Sequence, residues 1–251
     1  MDLLAIMGRG IQMLGPNDPK RIESYVLTED LEICDEMWGH LAIRIPADDR
    51  DPHCVVGGGD LNFAAGFELI CKYHPKMVVC AYGDRSTYLK SVDGPSESEV
   101  MSEMLQREFD RLDAFPVAWE FPKVVVWPRT RVFQGASNTK QEIVNILDLA
   151  LEHGLTDIGI VTVGVHVPRT AAFVARNVSG EKKYRDLNAT CFESEAVMLA
   201  SIGGHVWTEH IKAIRNSQAF ARTAANEARG TLAFLQGKYL SAKEGPNHDK
   251  K

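Results

Sequence analysis

Two polar clusters with the side chains of acid–base chemistry flank the apolar segment 158–165 of this chain. His166 and Arg169 follow the segment, and imidazole transfers protons near neutral pH while guanidinium binds anions through paired N–H groups. Glu142 precedes it and could act as a general acid or base. The pattern predicts His166 and Glu142 as catalytic residues, and the ligand contacts predicted beside them are Ser137, Asn138, Thr139 and Arg169.

A glycine-rich turn could bind an anion. It follows the apolar run 54–56 and precedes a predicted helix. Glycine lets the backbone approach a ligand, and the first N–H groups of a helix favour phosphate or carboxylate. The turn lacks the dinucleotide-binding spacing, since the nearest later glycine is Gly66, and a tight structural turn is the alternative. Ligand contacts are predicted here at Gly57, Gly58, Gly59, Asp60 and Asn62, and after the next apolar run at Gly83.

Each candidate also has a structural explanation. Glu99 is the third predicted catalytic residue, but Ser96 and Glu99 fit a capping box, in which both side chains bond backbone N–H groups at the start of a helix. Glu142 fits the same motif through the threonine three residues before it. A single histidine is usually just a satisfied polar group, and Arg169 could instead form a buried ion pair with Glu142 or Asp84.

Alternating helices and strands must position these residues. Four apolar residues recur at the three-and-four spacing of an amphipathic helix: Ile143, Ile146, Leu147 and Ala150. Segment 158–165 is apolar on both faces, as in a parallel strand covered by helices on both sides. The order of elements predicts an α/β fold, a Rossmann-like three-layer sandwich with a mainly parallel sheet. Such sheets bind ligands at the carboxyl ends of their strands.

A single domain is predicted for residues 1–251. Its core covers about 52–202, an N-terminal strand extension covers 1–51, and a long C-terminal helix covers 205–237. The Pro- and Asp-rich segment 43–53 is the candidate boundary between the extension and the core. The apolar run 54–56 is predicted to be the first strand of the parallel sheet.

The composition of the chain limits which binding partners and which cellular compartment we expect. The net charge of −6 and the pI of about 5.8 argue against a nucleic-acid surface. No apolar run approaches the ~20 residues that span a bilayer. The 5 cysteines form no CxxC pair, and Cys54 and Cys80 lie in apolar strand patterns typical of buried free thiols. These thiols predict a reducing, cytoplasmic environment. No cluster with the spacing of a dedicated metal site is predicted.

Taken together, the motifs resemble the YdcF/SanA/ElyC-like family of Rossmann-like proteins, whose function is largely unknown. The resemblance covers about residues 52–180. The matching features are a strand followed by GGG (54–59), a strand followed by AYG (77–83), a Ser-x-x-Glu helix start (96–99), SNTxxE (137–142) and VTVGVHVPRT (161–170). The chain differs from the family at Ile143, where relatives usually carry asparagine.

The resemblance implies a polar cleft. In this cleft the glycine turn and Glu99 would meet the SNTxxE motif and the corner formed by His166 and Arg169. Family members are suspected of binding nucleotide-like ligands such as S-adenosylmethionine, or of acting on envelope precursors.

The leading hypothesis is a soluble enzyme that binds a small anionic or nucleotide-type ligand and catalyses hydrolysis or group transfer. The glycine turn and Arg169 would hold the anion, His166 would serve as acid or base, and Glu99 or Glu142 would orient it or bind a divalent cation. The alternatives are a non-catalytic ligand sensor and an S-adenosylmethionine-binding protein. The N-terminal extension and the C-terminal helix could make subunit contacts in a homo-oligomer.

Overall fold

The computed structural model of the chain describes residues 1–14, 18–28, 31–34, 41–43, 54–81, 87–113, 122–126 and 139–238. The strands in these ranges are β1 (Leu3–Ile6), β2 (Ile11–Met13), β3 (Tyr25–Leu27), β4 (Leu31–Cys34), β5 (Leu41–Ile43), β6 (Cys54–Val56), β7 (Met77–Cys80), β8 (Lys123–Val126), β9 (Asp157–Thr162) and β10 (Asn188–Glu193). The helices are α1 (Gly59–Tyr73), α2 (Thr87–Ser91), α3 (Glu97–Asp113), α4 (Thr139–Glu152), α5 (Val167–Gly180), α6 (Ser194–Ala200), α7 (His205–Arg215) and α8 (Gln218–Leu235). No helix of the described ranges is long and apolar enough to cross a membrane.

Five strands form an all-parallel sheet in the order β10-β9-β1-β7-β8. Residues of α4 and α5 join the hydrophobic cluster on one face of this sheet, and residues of α1 and α3 join the cluster on the other. The predicted three-layer α/β fold is thereby confirmed. The apolar stripe of α4 is fully buried against the sheet at Ile143, Ile146, Leu147 and Ala150.

Strand β1 lies at the centre of the parallel sheet, between β9 and β7. Leu3 pairs with Met77 on one side and with Ile158 on the other, and all four residues of β1 are completely buried. The sequence-based boundary placed this segment in the N-terminal extension, whereas the structure makes it part of the core. An apolar run of four residues carries too little pattern to show which strands it pairs with.

The later strands of the N-terminal extension, β2 to β5, form a second sheet together with β6, in the order β3-β2-β5-β4-β6. Strand β2 pairs antiparallel with β3 and parallel with β5, while β4 pairs antiparallel with both β5 and β6. The prediction that 54–56 belongs to the parallel sheet is therefore wrong. Three apolar residues fit either sheet, and β6 instead extends the second sheet before the chain enters α1.

The range predicted as one helix, 205–237, contains two. Helix α7 ends at Arg215 and α8 begins at Gln218, because Ser217 is extended (φ −77°, ψ 153°). The Ser217 hydroxyl accepts a hydrogen bond from the N–H of Phe220 at 3.0 Å, which is the bond of a serine N-cap. The long C-terminal helix of the fold is thus α8, which packs against α5.

Two cysteines occupy the places that the apolar patterns predicted for them. Cys54 in β6 and Cys80 in β7 are buried, with 1% and 0% of their surface exposed, and neither forms a disulfide with a described residue. The prediction for these two side chains is confirmed.

The order of strands creates a crevice at one edge of the parallel sheet. Counted along the chain within this sheet, the order is 3-2-1-4-5. The chain leaves β1 towards β7 and β8, and then crosses to β9 on the opposite side of β1. In open α/β sheets this reversal is the topological switch point, where ligands bind beyond the carboxyl ends of the strands.

Candidate functional site

A cluster of polar side chains lies at the carboxyl ends of β1 and β9, and we call it the polar centre. Its side chains come from the segments that follow β1 and β9, from the first turns of α3, α4 and α5, and from the interior of α8. Its members are Arg9, Glu97, Thr139, Glu142, His166, Arg169 and Glu227. The cluster therefore occupies the crevice that the strand order creates.

His166 lies between a carboxylate and a hydroxyl group. Its Nδ1 atom is 2.9 Å from Oε2 of Glu227, and its Nε2 atom is 3.2 Å from Oγ1 of Thr139. Because a carboxylate only accepts hydrogen bonds, Nδ1 carries the proton and Nε2 accepts a hydrogen bond from the Thr139 hydroxyl. His166 is 4% exposed, so these contacts fix both the tautomer and the orientation of the ring.

Burial and two arginines determine the charges of His166 and Glu227. Burial lowers the pKa of His166, and Arg9 and Arg169 lower it further against the opposing hydrogen bond to Glu227. Burial tends to raise the pKa of Glu227, but the hydrogen bond and charge of His166 and the two arginines outweigh it and lower the pKa. A neutral imidazole oriented by an ionised carboxylate is a competent general base.

Two guanidinium groups share the carboxylate of Glu227. In Arg169, Nε lies 2.9 Å from Oε2 and Nη2 donates to Oε1 at 3.2 Å. In Arg9, Nη1 lies 3.9 Å from Oε1, while Nη2 and Nε donate to the carbonyl groups of Val56 at 3.0 Å and Gly57 at 3.3 Å. Two cations around one anion leave these three side chains with a net positive charge, which favours an anionic ligand.

The carboxyl group of Glu142 faces the same cluster. It is 6% exposed, and its Oε1 atom has no hydrogen-bond partner among the described residues. Burial raises its pKa well above the ordinary value, and the nearby charge of Glu97 raises it further, against the opposing charge of Arg169. The capping box predicted from Thr139 and Glu142 is replaced by the bond between the Thr139 hydroxyl and His166.

At the start of α3, Glu97 rather than Glu99 reaches the polar centre. Oε1 of Glu97 accepts hydrogen bonds from the backbone N–H groups of Arg9 at 2.5 Å and Gly10 at 2.7 Å. Burial raises the pKa of Glu97 to about 7, although these two bonds oppose the shift. Glu99 bonds Ser96 instead, with Oε2 2.7 Å from the backbone N and 3.0 Å from Oγ. The structural explanation of Glu99 as a capping residue therefore holds.

The glycine turn is built as a tight structural turn. Gly58 has a left-handed backbone (φ 92°), and a Cβ atom there would lie 2.7 Å from Cγ1 of Val163. The first four N–H groups of α1 are already bonded: Gly59 to Thr28 Oγ1 (3.2 Å), Asp60 to Thr28 O (3.1 Å), Leu61 to Asp60 Oδ1 (2.7 Å) and Asn62 to Gly58 O (3.0 Å). The N–H groups predicted to hold an anion are thus occupied within the protein.

Asn62 links three parts of the fold instead of contacting the polar centre. Its Nδ2 atom donates to the carbonyl oxygen of Met7 at 2.8 Å, and its Oδ1 atom accepts from the hydroxyl of Ser194 at 2.5 Å. The side chain is completely buried. Asn62 therefore ties α1 to the chain just beyond β1 and to the start of α6.

Three predicted ligand contacts lie outside the described residues: Gly83, Ser137 and Asn138. Asp84, the alternative partner considered for Arg169, lies outside them as well. Of the predicted site residues that are described, the structure brings Thr139, Glu142, His166 and Arg169 together. It places Glu99 in a helix cap, and the glycine turn contributes the Gly57 carbonyl that accepts from Arg9.

Three members of the polar centre are not predicted from the sequence: Arg9, Glu97 and Glu227. Arg9 stands between two glycines directly after an apolar run, a signal that has meaning only if that run is a strand of the parallel sheet. Glu97 has no sequence signal of its own, because the capping motif in this segment is completed by its neighbour Glu99. Glu227 lies inside a polar-rich helical stretch, and nothing in its local pattern separates it from solvated glutamates.

The described residues contain no group of three or more histidine, cysteine, aspartate or glutamate side chains that could hold a metal ion. Glu97 and Glu142 alone would provide two carboxyl groups, fewer than a structural metal site uses.

The chain matches no protein-family model, no curated protein and no solved structure.

Proposed function

We propose that the polar centre is the active site of a hydrolase or group transferase that acts on a small anionic or nucleotide-type ligand. The observation that carries the proposal is the continuous contact from Thr139 through His166 to Glu227, with distances of 3.2 Å and 2.9 Å. A hydroxyl on a base, and a base oriented by a third group, is the arrangement that activates an oxygen nucleophile.

His166 supplies the base of the proposed reaction. Its Nε2 atom faces the Thr139 hydroxyl, so the proton it removes is the one on Thr139 Oγ1. That oxygen then attacks the ligand and forms a bond to the transferred group. Glu227 keeps its charge and stabilises the imidazolium ion that results.

Glu142 supplies the acid. It lies in the same turn of α4 as Thr139, and burial raises its pKa well above the ordinary value, which favours the protonated form. Its proton passes to the oxygen of the leaving group as the bond to the transferred group breaks. In the second half of a hydrolysis, water gives a proton to Glu142 while the departing Thr139 oxygen takes one from His166. A base with a lowered pKa beside an acid with a raised pKa is the pairing that this chemistry needs.

The two arginines supply the affinity for an anion. Arg9 and Arg169 share one carboxylate, and both are largely buried, so their charges act in a medium of low dielectric constant. Nη2 of Arg169 lies 3.5 Å from Thr139 Oγ1, so an anionic group bound to this guanidinium would lie near the proposed nucleophile. Phosphate and phosphate esters suit such guanidinium groups.

The resemblance to the YdcF/SanA/ElyC-like proteins supports the same assignment. The SNTxxE motif contributes Thr139 and Glu142, and the VTVGVHVPRT motif contributes His166 and Arg169. These four side chains belong to one cluster, as a shared function of the two motifs requires.

Two measurements on matched variants test the proposal. Release of p-nitrophenol from p-nitrophenyl phosphate, and of phosphate from a set of nucleotides, is compared for the unaltered protein, His166→Gln and His153→Gln. His153 is exposed at the end of α4, so its variant is the control. We expect His166→Gln to reduce kcat at least about 100-fold, as for loss of a general base, while the affinity for inorganic phosphate changes less than about threefold.

A sensor would give a different pattern. The unaltered protein would then bind phosphate or nucleotides, measured by calorimetry, without turning any of them over. Absence of both binding and turnover would contradict the proposed function altogether.

A further inference from the structure

A cavity of about 580 Å³ opens beside the polar centre, between α5, α8 and the carboxyl end of β10. Its volume lies in the range of small-molecule sites. Most of its wall is apolar: Val165, Pro168, Phe220, Ala224, Ala228 and Leu232. Leu232 and Leu235 at its rim expose 55% and 65% of their surface, so an occupant with an apolar body would remove this area from water.

The polar part of the cavity wall is acidic. Glu193, Glu195 and Glu227 line it, together with one cation, Arg215. The charge of Glu227 is neutralised by Arg9 and Arg169 of the polar centre. Nη2 of Arg215 donates a hydrogen bond to Oε1 of Glu193. Among the described residues, no lysine or arginine forms an ion pair with Glu195. Of the three carboxylates, Glu195 is thus the one for which the described residues provide no cation at contact distance.

Gly164 holds this carboxylate at the cavity wall. Its N–H group donates to Oε2 of Glu195 at 2.6 Å. A Cβ atom on Gly164 would lie 2.8 Å from Oε1 of Glu193, so both carboxylates pack against the same glycine. Burial raises the pKa of Glu195, and the neighbouring charge of Glu193 raises it further. A cation bound at this place would relieve both effects.

We infer that this cavity binds a small organic cation with an apolar body, namely an aliphatic or aromatic amine. Its ammonium group would contact Glu195, and its apolar body would lie along the face of α8 that carries Ala224, Ala228 and Leu232. An anionic amphiphile would place its charge against the carboxylate of Glu195 and would be rejected. The inference does not depend on the proposed chemistry of the polar centre.

Three probes of equal chain length test the inference by calorimetry: octylammonium, octanoate and octanol, all below their aggregation concentrations. The unaltered protein is expected to bind octylammonium at least tenfold more tightly than either of the others. Glu195→Gln should remove that preference. Glu209→Gln serves as the control, because it removes the same charge from a side chain that is 82% exposed on α7 and does not line the cavity.

A second pair of variants locates the bound amine. Leu232→Lys adds a cation on an exposed residue of the wall, so the fold is retained and octylammonium binding should fall at least tenfold. Ala228→Trp should fill the cavity and abolish binding, with circular dichroism to check folding. Inorganic phosphate, titrated in parallel, reports on the polar centre separately. Equal affinity for octanoate, no binding of octylammonium, or full binding by Leu232→Lys would each overturn the inference.

Discussion

Gly230 leaves the space on α8 that the guanidinium group of Arg169 occupies: a Cβ atom at residue 230 would lie 2.9 Å from Nη1 of Arg169. Glu227 lies one helical turn earlier on the same face of α8 and pairs with the same guanidinium group, whose Nη2 donates to Oε1 and whose Nε lies 2.9 Å from Oε2. Glycine inside a helix costs about 1 kcal/mol relative to alanine. Close approach of Arg169 is the physical reason for a glycine at this position.

Gly230→Ala is therefore expected to displace Arg169 while the helix itself gains propensity. Loss of the Arg169–Glu227 contact should offset the gain of about 1 kcal/mol, so the free energy of unfolding changes little. Phosphate affinity, measured by calorimetry, should fall at least about fivefold.

Gly180→Ala is the control for this substitution. Gly180 ends α5, and nothing lies within 4 Å of a Cβ atom placed there. The control should leave phosphate affinity unchanged. Equal affinities for all three proteins would contradict the role assigned to Gly230.

Glu227→Gln is expected to destabilise the protein by about 3 kcal/mol, because removing one partner of a buried ion pair leaves the other charges uncompensated. Urea unfolding measures this change. Since the hydrogen bond to Glu227 raises the pKa of His166, the variant should also titrate His166 at a lower pH in NMR spectra. An unchanged His166 titration would show that Glu227 does not orient the ring.

Helices and strands with a long hydrophobic pattern could be predicted from the sequence, whereas the sheet partners of very short strands could not. The 14 residues of α4 carry an unambiguous apolar stripe, and β9 contains the apolar run 158–161, so both elements are predictable from the sequence. Strands β1 and β6 contain only four and three residues. Their partners are chosen by packing of the whole sheet, which local pattern does not contain.

The polar centre shows the same division. His166 and Arg169 could be recognised because both follow one clear strand. Glu227 is 61 residues from His166 in sequence, and only the packing of α8 on α5 brings them together. Residues near each other in the chain could be assigned from spacing, whereas a partner delivered by another helix could not.

Asn62→Ala should destabilise the protein by about 2–3 kcal/mol. The substitution leaves the Met7 carbonyl and the Ser194 hydroxyl buried without the partners that Asn62 provides, and such groups cost the full penalty of desolvation. Asn188→Ala is the control, because Asn188 is exposed on β10 and should shift the free energy of unfolding by no more than about 0.5 kcal/mol. Similar thermal midpoints for the two variants would contradict the structural role of Asn62.

Glu97 should make the stability of the protein depend on pH in a definite direction. Burial raises its pKa from 4.5 to about 7 in the folded state, so between these values the folded protein holds a proton that the unfolded chain releases. Stability contributed by this group is therefore complete below about pH 4.5 and is lost as pH rises to about 7. The loss is on the order of 3 kcal/mol, since one pKa unit corresponds to about 1.4 kcal/mol.

Glu97→Gln isolates this effect, because glutamine resembles the protonated carboxyl group and still offers an oxygen to the N–H groups of Arg9 and Gly10. Glu142 and His166 titrate in both proteins, so the informative quantity is the difference in free energy of unfolding between variant and unaltered protein. Measured by urea unfolding, the stability of the variant relative to the unaltered protein should increase from pH 5 to pH 7 and then level off. Glu103→Gln, a change on the same helix at a side chain that is 44% exposed, should show no such trend. A constant difference for Glu97→Gln would mean that its carboxyl group is already ionised at pH 5.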